Sequence, residues 1–451
     1  MKKIIVLFSL ILPFAFTVLS ANEPWKQLFN GKDFTGWHQI GGKATYSVEN
    51  GEVVGKTVLN TENSFMVTDL PYSDFILEFE VKVDDRLNSG VQIRSNSIPT
   101  YKEGRFHGYQ IEIDPSERAW SGGIYDEARR GWLYPLTYNQ AGQKAFKNND
   151  WNKYRVEAIG NHIQTWINDI PCANLWDDVT AKGFIGLQVH SVGKDPSKEN
   201  IEVRWRNIRI ISKKAAKFSM KNTAPEVNRL VNTLTENEKK DGWKLLFDGK
   251  TSTGWRGVQK ESFPVKGWKI SEGSLTVLPS NGSESQNGGD IVTNQQYANF
   301  ELQLEFKITP GANSGIKYFV TEKEKTTGSA IGLEYQILDD NLHPDAKLGN
   351  HDGSRTVASL YDLIKAENKR FAGVGEWNQA RIISNGKHVE HWLNGIKVLE
   401  YERGSEEFRK LVSESKYKTW ENFGEAEKGC ILLQDHGNEV SFRSIKIKEI
   451  D

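Results

Sequence analysis

The stretch Phe75-Ile76-Leu77-Glu78-Phe79-Glu80-Val81-Lys82-Val83 alternates along its length. Phe75, Leu77, Phe79, Val81 and Val83 fall on one side of an extended chain; Ile76, Glu78, Glu80 and Lys82 fall on the other. A period of two means a strand with one buried face and one wet face. Phe300, Leu302, Leu304, Phe306 and Ile308 alternate with Glu301, Gln303, Glu305 and Lys307 in the same way. Val203, Trp205, Ile208 and Ile210 repeat the pattern, as do Val440, Phe442, Ile445 and Ile447. Glu49-Asn50-Gly51, Ile159-Gly160-Asn161 and Ser384-Asn385-Gly386 read as hairpin turns. No long amphipathic helix competes. Many strands in each stretch of roughly 200 residues predict an all-β chain of two-sheet, jelly-roll sandwiches.

The two long strands belong to a repeat. Leu28-Phe29-Asn30-Gly31-Lys32 with Thr35-Gly36-Trp37 returns as Leu246-Phe247-Asp248-Gly249-Lys250 with Thr253-Gly254-Trp255. Asn88-Ser89-Gly90 returns as Asn313-Ser314-Gly315, and Trp166-Ile167-Asn168 as Trp392-Leu393-Asn394. Gln188 with His190 returns as Gln434 with His436. The blocks keep their order at a spacing of roughly 220 residues, far beyond a solenoid period. Two copies of one whole domain follow: residues 22–213 and 241–451. Residues 214–240 read as a solvated linker with a short helix, where Thr235 and Glu238 have capping-box spacing.

Residues 1–21 read as a signal peptide. Lys2 and Lys3 precede an apolar run to Leu19, then small Ser20 and Ala21 and acidic Glu23. The expectation is export across the inner membrane to the periplasm, with no membrane span in the mature protein. The 451 residues carry a formal net charge of −1, which excludes a basic nucleic-acid surface as the main business. Two cysteines exclude a disulfide scaffold; Cys172 and Cys430 are expected free and buried. Serine-hydrolase, Walker, dinucleotide and His-Glu-x-x-His motifs are missing.

Polar side chains at every second position of a strand share one face. Gln110, Glu112 and Asp114 form such a row, and Glu334 with Gln336 forms its counterpart, acid and amide exchanged. A carboxylate beside an amide suits sugar hydroxyls and general-base work. Gln188 with His190, and Gln434 with His436, make a second row able to bind substrate or move protons. The loop carrying Tyr125, Arg130 and Trp132 offers aromatic faces and guanidinium donors; its counterpart keeps Tyr361 but lacks the arginines and the Trp. Arg94 ends its strand where the second copy has Phe319, so the two sites should differ in ligand. No motif demands a cofactor. Asp339 and His343 are candidate ligands of a divalent cation, in a stretch without EF-hand spacing.

These residues resemble a known family. Leu246-Phe247-Asp248-Gly249-Lys250, Glu334-Tyr335-Gln336-Ile337-Leu338-Asp339-Asp340, His391-Trp392-Leu393-Asn394-Gly395 and Leu433-Gln434-Asp435-His436-Gly437 look like the 3-keto-disaccharide hydrolase family. Gly108-Tyr109-Gln110-Ile111-Glu112-Ile113-Asp114 and Gly183 through Ser191 resemble a second branch of it. The resemblance implies a concanavalin-like jelly roll and a carbohydrate substrate with a ketone at C3 of the sugar. It implies Glu334 or His436 as base in the second copy, with Gln336, Gln434 and Tyr361 on the sugar. In the first copy the matching set is Glu112 and His190, with Gln110, Asp114, Gln188, Arg94, Tyr125, Arg130 and Trp132 around the ligand. The leading reading is an enzyme cleaving 3-keto-glycosides by hydrolysis or elimination. The alternatives are a lectin-like binding protein, one catalytic copy beside one binding copy, and a structural interaction module.

Overall fold

The computed structural model describes residues 24–280, 284–323 and 329–450. The predicted signal peptide lies outside them. Among the described residues no helix is long and apolar enough to cross a membrane.

Phe75–Val83 lies in the middle of a sheet, between Glu202–Ile211 and Asn152–Ile159. His162–Ile167 and Ile170–Trp176 extend that sheet on one side, Glu52–Lys56 and Thr45–Glu49 on the other. The facing sheet runs Gly131–Tyr134, Ile124–Glu127, His107–Ile113, Ser89–Asn96, Phe184–Val189, Ser64–Thr68 and Trp37–Gly41. The inward residues of both sheets, among them Phe75, Leu77, Phe79, Val91, Tyr109, Ile111, Tyr154 and Trp205, form one core.

The second copy repeats this wiring. Phe300–Ile308 sits between Val440–Glu449 and Asn378–Asn385. Leu333–Leu338 pairs with Asn313–Val320, which pairs with Cys430–Leu433. Two tandem jelly-roll β-sandwiches result, each with its own core. The three turns form as their sequences require. Glu49 faces Glu52, Ile159 faces His162, and Asn385 faces His388, each across a two-residue loop. Asn50 and Gly51 take φ of 52° and 81°, the left-handed conformation that such tight hairpins need. Cys172 and Cys430 are free and buried.

Two expectations change. Phe75–Val83 is only partly wet on its outer face: Lys82 is exposed, but Ile76 and Glu78 are buried as well. Glu78 accepts from Arg155 at 2.9 Å and from Arg209, and Ile76 packs under Ala215 and Ile211. Residues 214–240 are not a solvated linker either. Arg155 donates to Phe218 O, and Ser219 Oγ donates to Glu157. Val227–Asn228 then adds a parallel edge strand to Ile170–Trp176.

The capping box at Thr235 forms, with Glu238 returning to the Thr235 amide at 3.0 Å. Glu238 also accepts from Asn228 on the first copy's sheet and from Lys446 on the second copy's. One buried carboxylate thereby ties both sandwiches to the connecting segment. Replacing Lys446 with Ala leaves that carboxylate without its cation, which costs about 3 kcal/mol for a buried pair. A lowered urea midpoint checks this; an unchanged one means that the pair does not hold the halves together.

Candidate functional site

On the strand His107–Ile113, Gln110 and Glu112 point to the concave side of the first sandwich. The neighbouring strand places Gly90 opposite Glu112 and Gln92 opposite Gln110. The glycine is required here: a Cβ on Gly90 would stand 2.6 Å from Gln110 Cγ and Cδ, because the Gln110 side chain lies across it. Gln188 Nε2, one strand further on, donates to Gln110 Oε1 at 2.8 Å; Gln110 Nε2 donates to Glu112 Oε2 at 3.1 Å. Asn88 Nδ2 donates to Glu112 Oε1 at 2.7 Å, and Arg118 reaches the same oxygen at 3.4 Å. The Glu112 carboxyl is therefore held by two amides and a guanidinium.

Burial still dominates. Glu112 is 4% exposed, and desolvation pushes its pKa up to about 7 against the pull of Asn88, Gln110 and Arg118. A carboxyl poised near neutrality can both take and return a proton. Above it opens a cleft of about 1090 Å³, walled by Tyr125 and Trp132, with His190 and Asn63 at its rim. Trp132 meets Trp120 and Tyr125 edge-on, at 4.6 and 5.2 Å between ring centres. Arg118 lies over both indoles. His190 Nδ1 faces the Ser191 carbonyl at 2.7 Å and so carries a hydrogen.

The second sandwich has the same floor with different charges. A Cβ on Gly315 would stand 2.2 Å from Glu334 Oε1, so glycine again yields to the neighbouring strand's polar side chain. Lys317 sits opposite Glu334. Burial raises the Glu334 pKa, while Lys317 and Lys416 pull it back. Lys416 Nζ lies 4.2 Å from the Tyr361 ring centre. Asn313 Nδ2 meets His436 Nε2 at 3.2 Å, and Gln434 Nε2 donates to Glu284 at 3.2 Å. The pocket they line holds about 120 Å³. Typical ligand sites hold roughly 300–1,000 Å³. Of these two matching pockets, among the described residues, the first alone reaches that size.

The structure sorts the residues singled out from sequence. Glu112, Gln110, His190, Tyr125 and Trp132 line the first cleft; Glu334, His436, Gln434 and Tyr361 line the second pocket. Gln188 and Gln336 stand one layer back, bonded to Gln110 and Asn313. Asp114 faces Arg118 Nε at 2.7 Å and positions it. Arg94 is not at the cleft. It sits at a left-handed bulge, with φ of 46°, and turns into the core edge to donate to Ser73 O and Gly160 O. Phe319 has the same bulge, with φ of 56°, so the Arg94 difference says nothing about ligands. Arg130 is taken up by Asp126 and Asp177 on the far side of the aromatic wall.

Asp339 and His343 do not form a cation site. Asp339 accepts from the Gly311 and Asn341 amides, and His343 Nδ1 accepts from the Asp345 amide. Among the described residues, three clustered metal-type ligands occur only at His388, Glu390 and Glu400, on a strand pair away from both pockets, where Lys397 already pairs with both glutamates. Sequence reading missed Arg118, Asn88, Lys317 and Lys416. Lys317 follows Gly315 by two, so extending the alternation would have placed it on the same face. Arg118 and Lys416 come from loops, where no period operates.

A polar floor carrying a buried carboxyl with a raised pKa, on a tandem jelly roll, defines the class: a carbohydrate-active enzyme. The family model described as the 3-keto-alpha-glucoside-1,2-lyase-like domain matches residues 24–211 and again residues 242–448, and the chain belongs to that family, in two copies. A 3-keto-disaccharide hydrolase from Bacteroides thetaiotaomicron is 40% identical over 232 residues, 47% of this chain and 79% of that protein. Two solved structures of proposed glycosyl hydrolases from Parabacteroides distasonis are also similar. One is 33% identical, with a TM-score of 0.43, and covers 49% of this chain and 100% of its own. The other is 29% identical, with a TM-score of 0.36, and covers 46% and 99%.

The raised Glu112 pKa has a thermodynamic sign. The folded chain holds this proton more tightly than the unfolded chain, whose ordinary value is 4.5. The stability of the neutral acid is lost as pH rises from about 4.5 through about 7. Glu112→Gln should therefore raise the melting temperature at pH 8 more than at pH 5, by a free energy on the order of 2 kcal/mol. Equal shifts at both pH values would show that Glu112 is not perturbed.

Proposed function

We propose that the protein is an exported enzyme that cleaves the glycosidic bond of 3-keto-glycosides, with the first sandwich as the catalytic copy. The observation that carries this reading is the Glu112 carboxyl, buried beneath an open cleft and brought near neutrality by burial. A C3 ketone acidifies the C2 proton. Glu112 takes that proton, and the C–H electron pair becomes the enolate of C2 and C3. Asn88 and Arg118, which stand beside the carboxyl, are the donors available to the developing oxyanion. Collapse of the enolate expels the C1 substituent, which leaves with a proton, and a double bond forms between C1 and C2. Addition of water across that bond makes the net reaction a hydrolysis.

The cleft's other buried carboxyl, Glu127, is paired with Arg105 at 2.9 Å, which leaves Glu112 as the proton carrier of this route rather than one of the two acids that the glycosidase mechanism sets on opposite sides of the bond. Glu112, which now carries the C2 proton, returns it to the leaving group, and His190 lines the same cleft with Nδ1 held by the Ser191 carbonyl. The second sandwich, with two lysines around Glu334 and a small pocket, is a binding copy in this reading. The signal-peptide-like sequence of residues 1–21 supports export to the periplasm in this reading.

The test is release of aglycone from a 3-keto-glucoside and from its unoxidised parent. Release from the keto form alone is expected, with kcat/KM rising with pH through an apparent pKa near 7, the value of the carboxyl in the free enzyme. Glu112→Gln should lower kcat at least 100-fold with little change in affinity, the scale of general-base loss. Cleavage of both sugars alike, or full activity in the Gln variant, would sink the mechanism. A comparable loss in Glu334→Gln alone would transfer catalysis to the second copy.

A further inference from the structure

The floor of the first sandwich hides a polar group that its neighbours do not satisfy. Gln92 lies opposite Gln110 and two residues beyond Gly90, so its side chain faces the cleft side of the sheet. It is fully buried, and neither its Nε2 nor its Oε1 has a hydrogen-bond partner among the described residues. Gln188 Oε1, on the next strand, is unpartnered too. A buried amide left unpaired at both atoms is destabilising and calls for a reason.

An aromatic ring separates it from the cleft. Gly186 stands across from Gln92 on the neighbouring strand. A Cβ on Gly186 would meet Phe106 Cε1 at 2.8 Å, so the Phe106 ring rests in the space that the glycine leaves. Phe106 meets Phe65 at 5.1 Å between ring centres, and both line the cleft. The ring is carried at the end of a loop. Lys102, Glu103 and Gly104 in that loop are all left-handed, with φ of 43°, 56° and 81°, and Lys102 and Glu103 are exposed. Tyr101 and Lys102 donate to Ala128 O, and Arg105 donates to Glu127. An exposed loop with so few ties opens more readily than the strands beneath it.

The second copy shows the alternative. Lys317 takes the place of Gln92, opposite Glu334. Asp290 takes that of Phe65: it precedes Ile291, which pairs with Leu433 as Met66 pairs with Leu187. Ala330 takes that of Phe106, two residues before Gly332 as Phe106 is before Gly108. Lys317 Nζ lies 3.7 Å from Asp290 and donates to Ala330 O at 3.3 Å. The polar group at this floor position is therefore paired within the protein in one copy and unpaired under a phenyl ring in the other.

We propose that Gln92 is a latent sugar-binding residue of the first cleft: the Phe106 ring gives way on binding, and the uncovered amide takes two neighbouring hydroxyls of the ring next to the reacting sugar. An amide donates through Nε2 and accepts through Oε1, which matches a vicinal diol. Glu112 faces Gly90, so Gln92 lies two residues further along the sheet, about 7 Å, close to the step from one sugar ring to the next. The inference rests on the first cleft being the sugar site. It gives the substrate a second ring, for which the cleft of about 1090 Å³ has room.

The experiment compares binding of maltose, cellobiose and methyl β-glucopyranoside to the full chain by calorimetry. None of these carries a ketone, so binding is read without turnover. At least one disaccharide should bind about tenfold tighter than the methyl glucoside, the scale of two hydrogen bonds between neutral groups. Gln92→Leu should bring that ratio close to one and leave the methyl glucoside unchanged. It should also raise the melting temperature, because an apolar side chain of similar shape removes the unpaired amide. Phe106→Ala should strengthen the preference, since no ring has to move. Equal affinities or no disaccharide binding in the wild type would overturn the proposal. So would a ratio that survives Gln92→Leu, a loss that the methyl glucoside shares, a lowered melting temperature in Gln92→Leu, or a weaker preference in Phe106→Ala. Turnover of the keto forms separates the two readings. Preference without turnover sinks the catalytic reading alone; turnover without preference sinks this one.

Discussion

A side chain can lie flat on the floor of a concave sheet only where the adjacent strand presents none of its own. Gly90 and Gly315 satisfy that condition. Across them lie Gln110 in one copy and Glu334 in the other, each closer to the glycine than any Cβ would tolerate. The strand alternation sets which residues face the cleft, and the glycine sets how deeply they lie. Depth in turn sets chemistry. A carboxyl on an open sheet face would titrate as usual, whereas Glu112 is held among amides and its pKa is pushed up to about 7. The Asn-Ser-Gly block is thus as much part of the site as the acid.

This explains what the sequence made legible. The period-two rows placed Glu112, Gln110 and His190 beside one cleft, and Glu334, Gln434 and His436 beside the other, because a strand's geometry leaves no freedom about faces. The repeat exposed the glycines as a shared feature, although their reason is visible only in three dimensions. Arg94 was misplaced for the same geometric reason. A left-handed residue breaks the alternation, so the side chain after the bulge no longer points where the count says. Arg118 and Lys416 were invisible because loops obey no period. Glu78 looked solvent-facing because charge usually means water; the arginines that cover it lie far away in sequence.

The two copies show how little must change for a fold to change its chemistry. The strand partners, the bulge at Arg94 and Phe319 and the glycine are common to both. Acid and amide have exchanged places, and the position opposite the lying side chain has changed from Gln92 to Lys317. That lysine, with Lys416, sets two cations around Glu334, where Glu112 has two amides and one arginine at 3.4 Å. A nearby cation favours the charged carboxylate, and so opposes the burial that makes Glu112 a workable proton carrier. The pockets diverge in the same direction, about 1090 Å³ against about 120 Å³.

Two copies joined by a free tether would act independently, and the divergence of one would not concern the other. Here the connecting segment is itself structure. It adds a strand to the first copy at Val227–Asn228 and a buried acid, Glu238, to the second copy at Lys446. Fixing that segment brings the Arg370 guanidinium against Trp120, whose edge contact with Trp132 leads straight to the cleft above Glu112. Once the copies are clamped, the second sandwich's outer loops close a cavity of about 680 Å³ against the first. Duplication followed by docking thus couples the two sandwiches, while the proton-handling group stays within one sheet.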